Sequence, residues 1–412
     1  MRNLLKIAIR NLIRYKRRTL LTASLITIGV VFVLVFVSIT GSFKAMMIGQ
    51  ITDSMLGHLQ IHSKGYVASI DNLPLNLNMK PKAYGKISTL LNATPEVAAF
   101  SPRLKFGGMF SNFVETTNIR LNGVYPEREF QTVPLLTSRI SEGKKTLDRG
   151  EIMIPTLLAK GLKVKLGDTV VIVATNADGS VNGKQFIVSG ILESATGPGG
   201  RDGYVHIEDA AEVLRMPETE ISEVAVRLKD FSRLPAAVKQ LETKVAGEVN
   251  KEGQPLFEVH SWEQLSPFFS IARMIDVMTF FIKIMLIAIV LISIMNVMIM
   301  AVYERIREIG TIAAIGTLPG KIRSMFIIEG FCLGVIGAII GDLIGIAVIL
   351  IVNLIGIRFD FGQQQGLLLK ATLNADDLLT VSVIVIVVAV AASLQPAIKA
   401  SKMEPIEALR HV

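Results

Sequence analysis

The sequence predicts an integral membrane protein with four transmembrane α-helices and a large α+β extracytoplasmic domain between helices 1 and 2. Two observations carry that prediction. Half of the 412 residues are hydrophobic, and the apolar residues gather into four runs nearly free of charge: 20–40, 284–302, 325–357 (Glu329 and Asp342 apart) and 378–394. Crossing the hydrocarbon takes about 20 apolar residues, so the first, second and fourth runs suit single helices. The third is longer than needed and is expected to tilt, kink or project beyond the bilayer. The second observation is the spacing of the runs, which leaves residues 42–272 between the first and second as one block of mixed strand and helix pattern.

Residues 1–19 form a basic segment with Arg2, Lys6, Arg10, Arg14, Lys16, Arg17 and Arg18 and no acidic residue. The connection at 303–323 adds Arg305, Arg307, Lys321 and Arg323, and the tail at 396–412 adds Lys399, Lys402 and Arg410. With four spans (20–41, 273–302, 324–356 and 378–395) these three segments share one side, and the Lys/Arg bias of short flanks makes it the cytoplasm, with both termini inside. The net charge of +8 is then a topology signal and an attraction to anionic membrane lipid, with no aromatic-interleaved basic face to suggest nucleic acid. The first apolar run exceeds the 7–15 residues usual for a signal peptide core, so it reads as a retained anchor. The single Cys332 falls inside the third span, which rules out an internal disulfide.

Within 42–272, residues 57–62, 118–122 and 224–228 alternate as strands do. A helix is expected over 234–249, opened by Pro235, so 222–228, 234–249 and 256–260 make a strand–helix–strand unit. Residues 150–193 read as a compact β-rich module inserted within the α+β domain. Residues 261–276 are expected to run into the second span as one long helix. The outer loop 357–377 is short.

Absences narrow the function. No Gly-x-x-x-x-Gly-Lys-Ser/Thr loop is present, so this sequence has no such cradle for nucleotide phosphate. The glycine-rich stretch 196–203 does not join a strand to a helix and reads as a tight outer loop. His58 and His62 alternate with apolar residues on a strand and are expected on a solvated face. Neither a metal cluster nor a catalytic constellation emerges, so no cofactor is expected in this chain and no enzyme activity is assigned to it.

Charges inside spans mark candidate polar sites. Lys283 lies at the outer end of the second span and can snorkel to the interface. Glu329 lies near the inner end of the third, within reach of Arg323 or the 303–321 insert, which it is placed to orient. Asp342 is deeper, suited to capping a kink after Gly341 or to lining a substrate path. Gly330, Gly334, Gly337, Gly341 and Gly345 fall on one face of the third span, a small-residue stripe for close helix packing, within the chain or across a dimer.

The insert itself starts with Glu304, Arg305, Arg307 and Glu308, which can pair locally at the water interface. Ile309, Ile312, Ala313 and Ile315, with Gly310, Ala314 and Gly316, then offer a low-profile apolar helix, broken at Leu318, Pro319 and Gly320. Rich in alanine and glycine, that face suits a protein cleft better than burial in lipid. The expected docking set is Arg307, Glu308, Ile309, Gly310, Thr311, Ala313, Ala314, Ile315 and Gly316.

Four stretches, in order from one end to the other, give the chain a family resemblance. They are 3–19, with Ala8 to Leu12 and Arg17, Arg18, Thr19; 150–173, with Leu158, Ala159 and Val164 to Thr169; 304–330, with Arg307 to Gly310 and Ala314 to Gly316; and the tail, with Gln395 to Ser401 and Glu404 to Leu409. On these residues the chain resembles the permeases of macrolide-exporter-like ABC systems, which include lipoprotein-releasing permeases and the cell-division relative FtsX. The resemblance implies a bacterial inner-membrane protein with a periplasmic domain and a coupling helix at the insert. It implies two permeases, identical or homologous, each bound by a separate ABC ATPase subunit that holds ATP and magnesium and drives outer-domain motion. A periplasmic adaptor or lipoprotein carrier is a further partner of such systems. Extraction of lipoprotein or lipid is the first expectation; efflux of a drug, peptide or toxin and FtsX-like activation of a cell-wall hydrolase are the alternatives.

Overall fold

The computed structural model describes residues 2–193, 202–249, 253–361 and 364–404. The glycine-rich stretch 196–203 lies outside them except for Asp202 and Gly203, as does the tail beyond Glu404. The chain divides into a membrane unit (Met1–Ala45, Arg273–Arg358 and Leu368–Val412) and an outer-domain unit (Met46–Ala272 and Phe359–Leu367).

Four helices are long and apolar enough to cross a membrane: Lys16–Ile51, Phe268–Glu304, Pro319–Ile355 and Ala375–Ser401. The first three have 36 or 37 residues, about 55 Å at 1.5 Å per residue, against a hydrocarbon core of about 30 Å. Excess length therefore belongs to three helices and not to the third alone. In the membrane unit the bundle closes around Ile26, Val30 and Leu34 of the first span, Val290 and Ile294 of the second, Phe326 of the third and Val385 and Ala389 of the fourth.

The glycine stripe explains how closely these helices approach. A Cβ placed on Gly330 or Gly334 would lie 2.6 Å from the Cβ of Ser393 or Ala389 on the fourth span. On Gly337 it would lie 2.5 Å from Ile26, and on Gly341 2.7 Å from Val30. Gly345 packs on Leu34. Two glycines thus face the fourth span and three the first, so the stripe is occupied within the chain and is not a face for a second permease. Asp342 caps no kink. The helix is unbroken there, and Ser382 Oγ of the fourth span donates to Asp342 Oδ2 at 2.6 Å. Lys283 sits half-buried in the middle of the Phe268–Glu304 helix. After the third span, Asn353 exchanges hydrogen bonds with the backbone of Ala371, and Ser38 Oγ donates to the Thr372 carbonyl, which pins the short outer loop.

The outer-domain unit is built on one ten-stranded sheet among the described residues: β1 Leu59–Ser63, β2 Val97–Ser111, β3 Thr116–Val124, β4 Ile140–Gly143, β5 Glu151–Pro155, β6 Thr169–Thr175, β7 Val181–Leu192, β8 Asp202–His206, β9 Glu223–Leu228 and β10 Phe257–Ser261. One end has the order β10-β1-β9-β2 with antiparallel neighbours. Helices Pro81–Asn92 and Leu234–Val245 join β1 to β2 and β9 to β10. Each strand–helix–strand unit therefore splits around a strand of the other, a ferredoxin-like arrangement.

At the other end the sheet closes on itself. β2 pairs with β3, β3 with β8, β8 with β5, β5 with β7, β7 with β6, and β6 returns to β2. The ring is filled by Phe110, Ile152, Ile172, Phe186 and Val205. At its seam a Cβ on Gly108 would stand 2.9 Å from the Val173 carbonyl oxygen, so the strands meet only where the side chain is absent. Residues 150–193 are therefore no separate inserted module: their strands complete a ring that needs β2 and β3.

Two further expectations change. The helix ends at Val245, short of 249. Residues 261–276 are interrupted: Ser261 and Gln264 form a capping box on the short helix Trp262–Leu265, Ser266 is extended, and a new helix starts at Phe268 after Pro267. Proline lacks the N–H and sterically excludes continuation of the preceding turn.

His58, Gln60 and His62 are buried, not solvated. β1 lies between β10 and β9, and its polar face is covered too. His62 stacks on Tyr66 and stands 3.7 Å from Glu223. Glu223 anchors a buried charge cluster: Arg103 Nη1 donates to it at 2.9 Å, Lys105 Nζ lies 3.0 Å away, and Arg103 Nε donates to Glu129 at 3.1 Å. Burial alone would raise the Glu223 carboxyl; Lys105, the nearby His62 and Arg103 outweigh it and hold it well below the ordinary 4.5. A carboxyl depressed by folding contributes stability above its unfolded value and loses it as pH falls through the folded one.

Trp262, the only tryptophan, is buried in this unit and reports on its unfolding. Glu223→Gln is expected to cost about 3–5 kcal/mol, because it removes the buried negative charge that Arg103 and Lys105 share. It should also flatten the acid limb of the Trp262 unfolding midpoint below about pH 4.5. An unchanged acid limb counts against the cluster as a source of stability. In the membrane unit, Gly341→Ala is expected to destabilise by about 1–3 kcal/mol through overpacking. Adding Val30→Ala should recover part of that loss, a non-additivity measurable by thermal unfolding in detergent.

Candidate coupling site

Between the second and third spans the chain forms a short helix, Ile306–Ala314, followed by a turn at Gly316 with φ of +93°. The break falls at 315–318, and Pro319 opens the next helix in its first turn instead of ending the insert. Proline suits that position because its missing N–H would have no partner there.

One buried carboxylate fixes this helix. Glu329 Oε1 accepts from Arg305 Nη1 at 2.9 Å and from Asn11 Nδ2 at 2.7 Å. Arg305 Nε donates in turn to Glu308 at 3.1 Å, and Arg14 pairs with Glu308 at 3.3 Å near the surface. The Arg305 guanidinium also lies over the Phe326 ring, 5.7 Å from its centre. Burial works against the Arg305 charge, but Glu329 and Glu308 offset it and hold its pKa above the ordinary value. Glu329 is thus matched by Arg305 and Asn11 rather than by Arg323, and Arg305 is buried instead of marking the water interface. Lys399 Nζ donates to the Tyr303 hydroxyl at 2.7 Å, tying the end of the fourth span to the end of the second.

The expected docking residues separate into two faces. Ile309, 2% exposed, and Gly310 point into the bundle and anchor the helix. Arg307, Thr311, Ala314, Ile315 and Gly316 are exposed, while Glu308 and Ala313 are half-buried. Ile315 is 81% exposed, and Leu318, outside the expected set, is 64% exposed. With Ile312 they form an apolar tip on a clamped helix.

The N-terminal partner went unread as structure. Residues 2–14, read above for charge and for the family resemblance, form the helix Arg2–Arg14, with Ala8 and Leu12 buried and Asn11 on the same side. Ala8, Asn11 and Leu12 stand three and four apart, which is the signal for that face.

The MacB-like periplasmic core domain matches residues 19–244, more than half of the chain, and the FtsX-like permease C-terminal domain matches residues 280–405. The chain belongs to the MacB/LolC/FtsX-like permease family. It is an ABC transporter permease of LolC/MacB type and a multi-pass inner-membrane protein. The permease is 22% identical to the lipoprotein-releasing system transmembrane protein LolC of Neisseria meningitidis, over 95% of this chain and 94% of that protein. It is 22% identical to the macrolide export ATP-binding/permease protein MacB of Bdellovibrio bacteriovorus, over 79% of this chain and 49% of that protein. The crystal structure of the periplasmic region of MacB from Actinobacillus actinomycetemcomitans aligns with 53% of the permease and 92% of that chain, at 13% identity and a TM-score of 0.35.

Glu329→Gln keeps the side-chain shape and removes the charge that Arg305 and Asn11 share. Hydrogen bonds to charged groups contribute about 1.5–3 kcal/mol, so backbone amides of the Ile306–Ala314 helix should exchange hydrogen about tenfold faster or more. Ser382→Ala, which touches only Asp342, is the control. Equal exchange in both variants would show that the clamp does not hold the helix.

Proposed function

We propose that the permease receives work from a separate ABC ATPase at the exposed tip of the Ile306–Ala314 helix and uses it to extract lipoprotein or lipid from the inner membrane. The observation that carries the docking is the pairing of an exposed apolar tip, Ile312, Ile315 and Leu318, with a buried anchor, Ile309 and Gly310, on a helix held by Glu329. The cargo class rests on near end-to-end similarity to LolC.

Under this proposal both termini and the tip are cytoplasmic, as the Lys/Arg bias requires. The ATPase brings the nucleotide and magnesium, and two permeases pair through surfaces other than the glycine stripe. Docking shifts the permease between states only if the ATPase binds them with different affinity. Of the four chain crossings between the units, those after Ala45 and after Ala272 fall inside the unbroken helices Lys16–Ile51 and Phe268–Glu304. A displacement begun in the membrane unit thus has a covalent helical route outward.

The test uses Ile315→Cys in a Cys332→Ala background. A membrane-impermeant maleimide should label residue 315 in inverted vesicles and not in intact cells, and bound ATPase should protect it. Ile315→Glu should lower ATPase co-purification about tenfold or more, since burying an unpaired carboxylate costs more than 1.4 kcal/mol. Labelling from the outer side, or full binding by Ile315→Glu, would overturn the docking. Release of a lipidated substrate from proteoliposomes in the presence of ATP tests the cargo, with efflux as the competing outcome.

A further inference from the structure

A cavity of about 190 Å³ lies in the outer-domain unit beside the chain segments that lead to the first two spans. Its apolar end is formed by Met55, Leu121, Leu265 and Phe268, and its polar end by Arg120 and Asp202. An apolar cavity of about 150 Å³ is enough to hold a benzene ring, so this one takes a short stretch of hydrocarbon chain. It opens onto a wider cleft of about 760 Å³, and the two share Asp71, Leu73 and Arg120. Leu73 sits between them in the left-handed region, with φ of 48°, at the end of the turn Val67–Asn72.

The polar end is chemically incomplete. Asp202 Oδ1 is buried without a hydrogen-bond partner among the described residues. Burial raises the Asp202 carboxyl above its ordinary range despite Lys105 and Arg120 nearby. The Lys105 ammonium is engaged by Glu223 at 3.0 Å, which leaves Arg120 as the cation of the cleft. A buried acceptor without a donor costs free energy, and such a group beside an apolar pocket with an open mouth calls for a donor supplied by a ligand.

Resting on the reading of the permease as an extractor of lipid or lipoprotein, we propose that this cavity is an acyl-amphiphile site. Hydrocarbon fills the end at Met55, Leu265 and Phe268, a head-group N–H donates to Asp202, and an ester or phosphate oxygen accepts from Arg120. An N-acylated, lipidated protein terminus and an aminophospholipid both carry that chemistry.

The test places the full-length permease in nanodiscs with three photoreactive probes: a synthetic triacylated cysteinyl peptide with a diazirine in its acyl chain, a phosphatidylethanolamine with the same chain, and the peptide without acyl chains. Adducts are expected on the segments around Met55, Ile70 and Phe268. Ile70→Trp, which fills the cavity, should reduce them about tenfold. Asp202→Leu should reduce them about tenfold as well, while leaving thermal stability unchanged or higher, because it removes a buried carboxyl that nothing in the described chain satisfies. A merely structural Asp202 would instead lower stability. Adducts from the lipidated peptide name the protein terminus as the source; adducts from the phospholipid alone support the site and name bilayer lipid. Adducts no stronger than those of the chainless peptide, or insensitive to both variants, overturn the proposal. ATP-driven release by the unsubstituted permease separates the two claims: release without acyl-dependent adducts sinks the site alone, and variant-sensitive adducts without release sink the extraction reading alone.

Discussion

A carboxylate toward the N-terminal end of the third membrane span dictates much of the membrane unit. Glu329 is buried, and an ionised group there is costly unless it is matched by charge and hydrogen bonds. Its two partners come from places far apart in sequence, Asn11 and Arg305. Meeting that need draws the N-terminal helix against the third span and turns the chain at the end of the second. Once Arg305 is committed to Glu329, its Nε holds Glu308, and the following helix has one rotation available to it. Ile309 and Gly310 then face inward, and Ile312 and Ile315 cannot. The exposed apolar tip is a consequence of where one charge had to go.

The glycines set the distance at which that arrangement works. With Cβ positions 2.5–2.7 Å from Ile26, Val30, Ser393 and Ala389, the third span has no room for even a methyl group on those faces. Lipid offers little hydrophobic drive between helices, so dispersion at close approach has to hold the bundle. The outer-domain unit follows the other logic, that of water-driven burial. Its sheet closes into a ring over a hydrophobic filling, and it tolerates Arg103, Glu129 and Glu223 inside because each finds an opposite charge within about 3 Å.

Much of this was legible in the sequence, and the misses have physical causes. Apolar runs of about 20 residues have few readings, so the four helices and the large domain between the first two could be seen, and so could the family, from residues around Arg307–Gly316 and Val164–Thr169. Strands β1, β3 and β9 followed from alternation, and β10 from the strand–helix–strand unit. What failed depended on partners distant in sequence. Alternation cannot say whether the polar face of β1 is wet, and β1 proved central, so His58 and His62 are buried. Residues 150–193 looked self-contained because ring closure through β2 pairs residues about 60 apart. Glu329 was placed within reach of Arg323 or the 303–321 insert, and Arg305 of the insert is a partner, whereas Asn11 lies at the other end of the chain. Within the Ile306–Ala314 helix, composition marked the segment but not its rotation, so the burial of Ile309 and Gly310 and the exposure of Leu318 beyond it could not be read from it.

The docking proposal can be weighed against what a switch demands. Moving a two-state equilibrium from 1:99 to 99:1 takes about 5.5 kcal/mol of differential affinity. Burying an apolar side chain of the size of Ile or Leu contributes about 1.5–3 kcal/mol, so Ile312, Ile315 and Leu318 together reach that range even after ordering costs. But affinity common to both states moves nothing. The useful part is whatever changes when the helix changes its pose, and the pose is set by Glu329, Arg305 and Asn11. A tip without the clamp would bind the ATPase and transmit little; a clamp without the tip would have nothing to receive. The clamp at Arg305 and the tip from Ile312 to Leu318 lie at the two ends of one nine-residue helix, and it is their combination, more than the apolar surface itself, that suits this segment to passing on work.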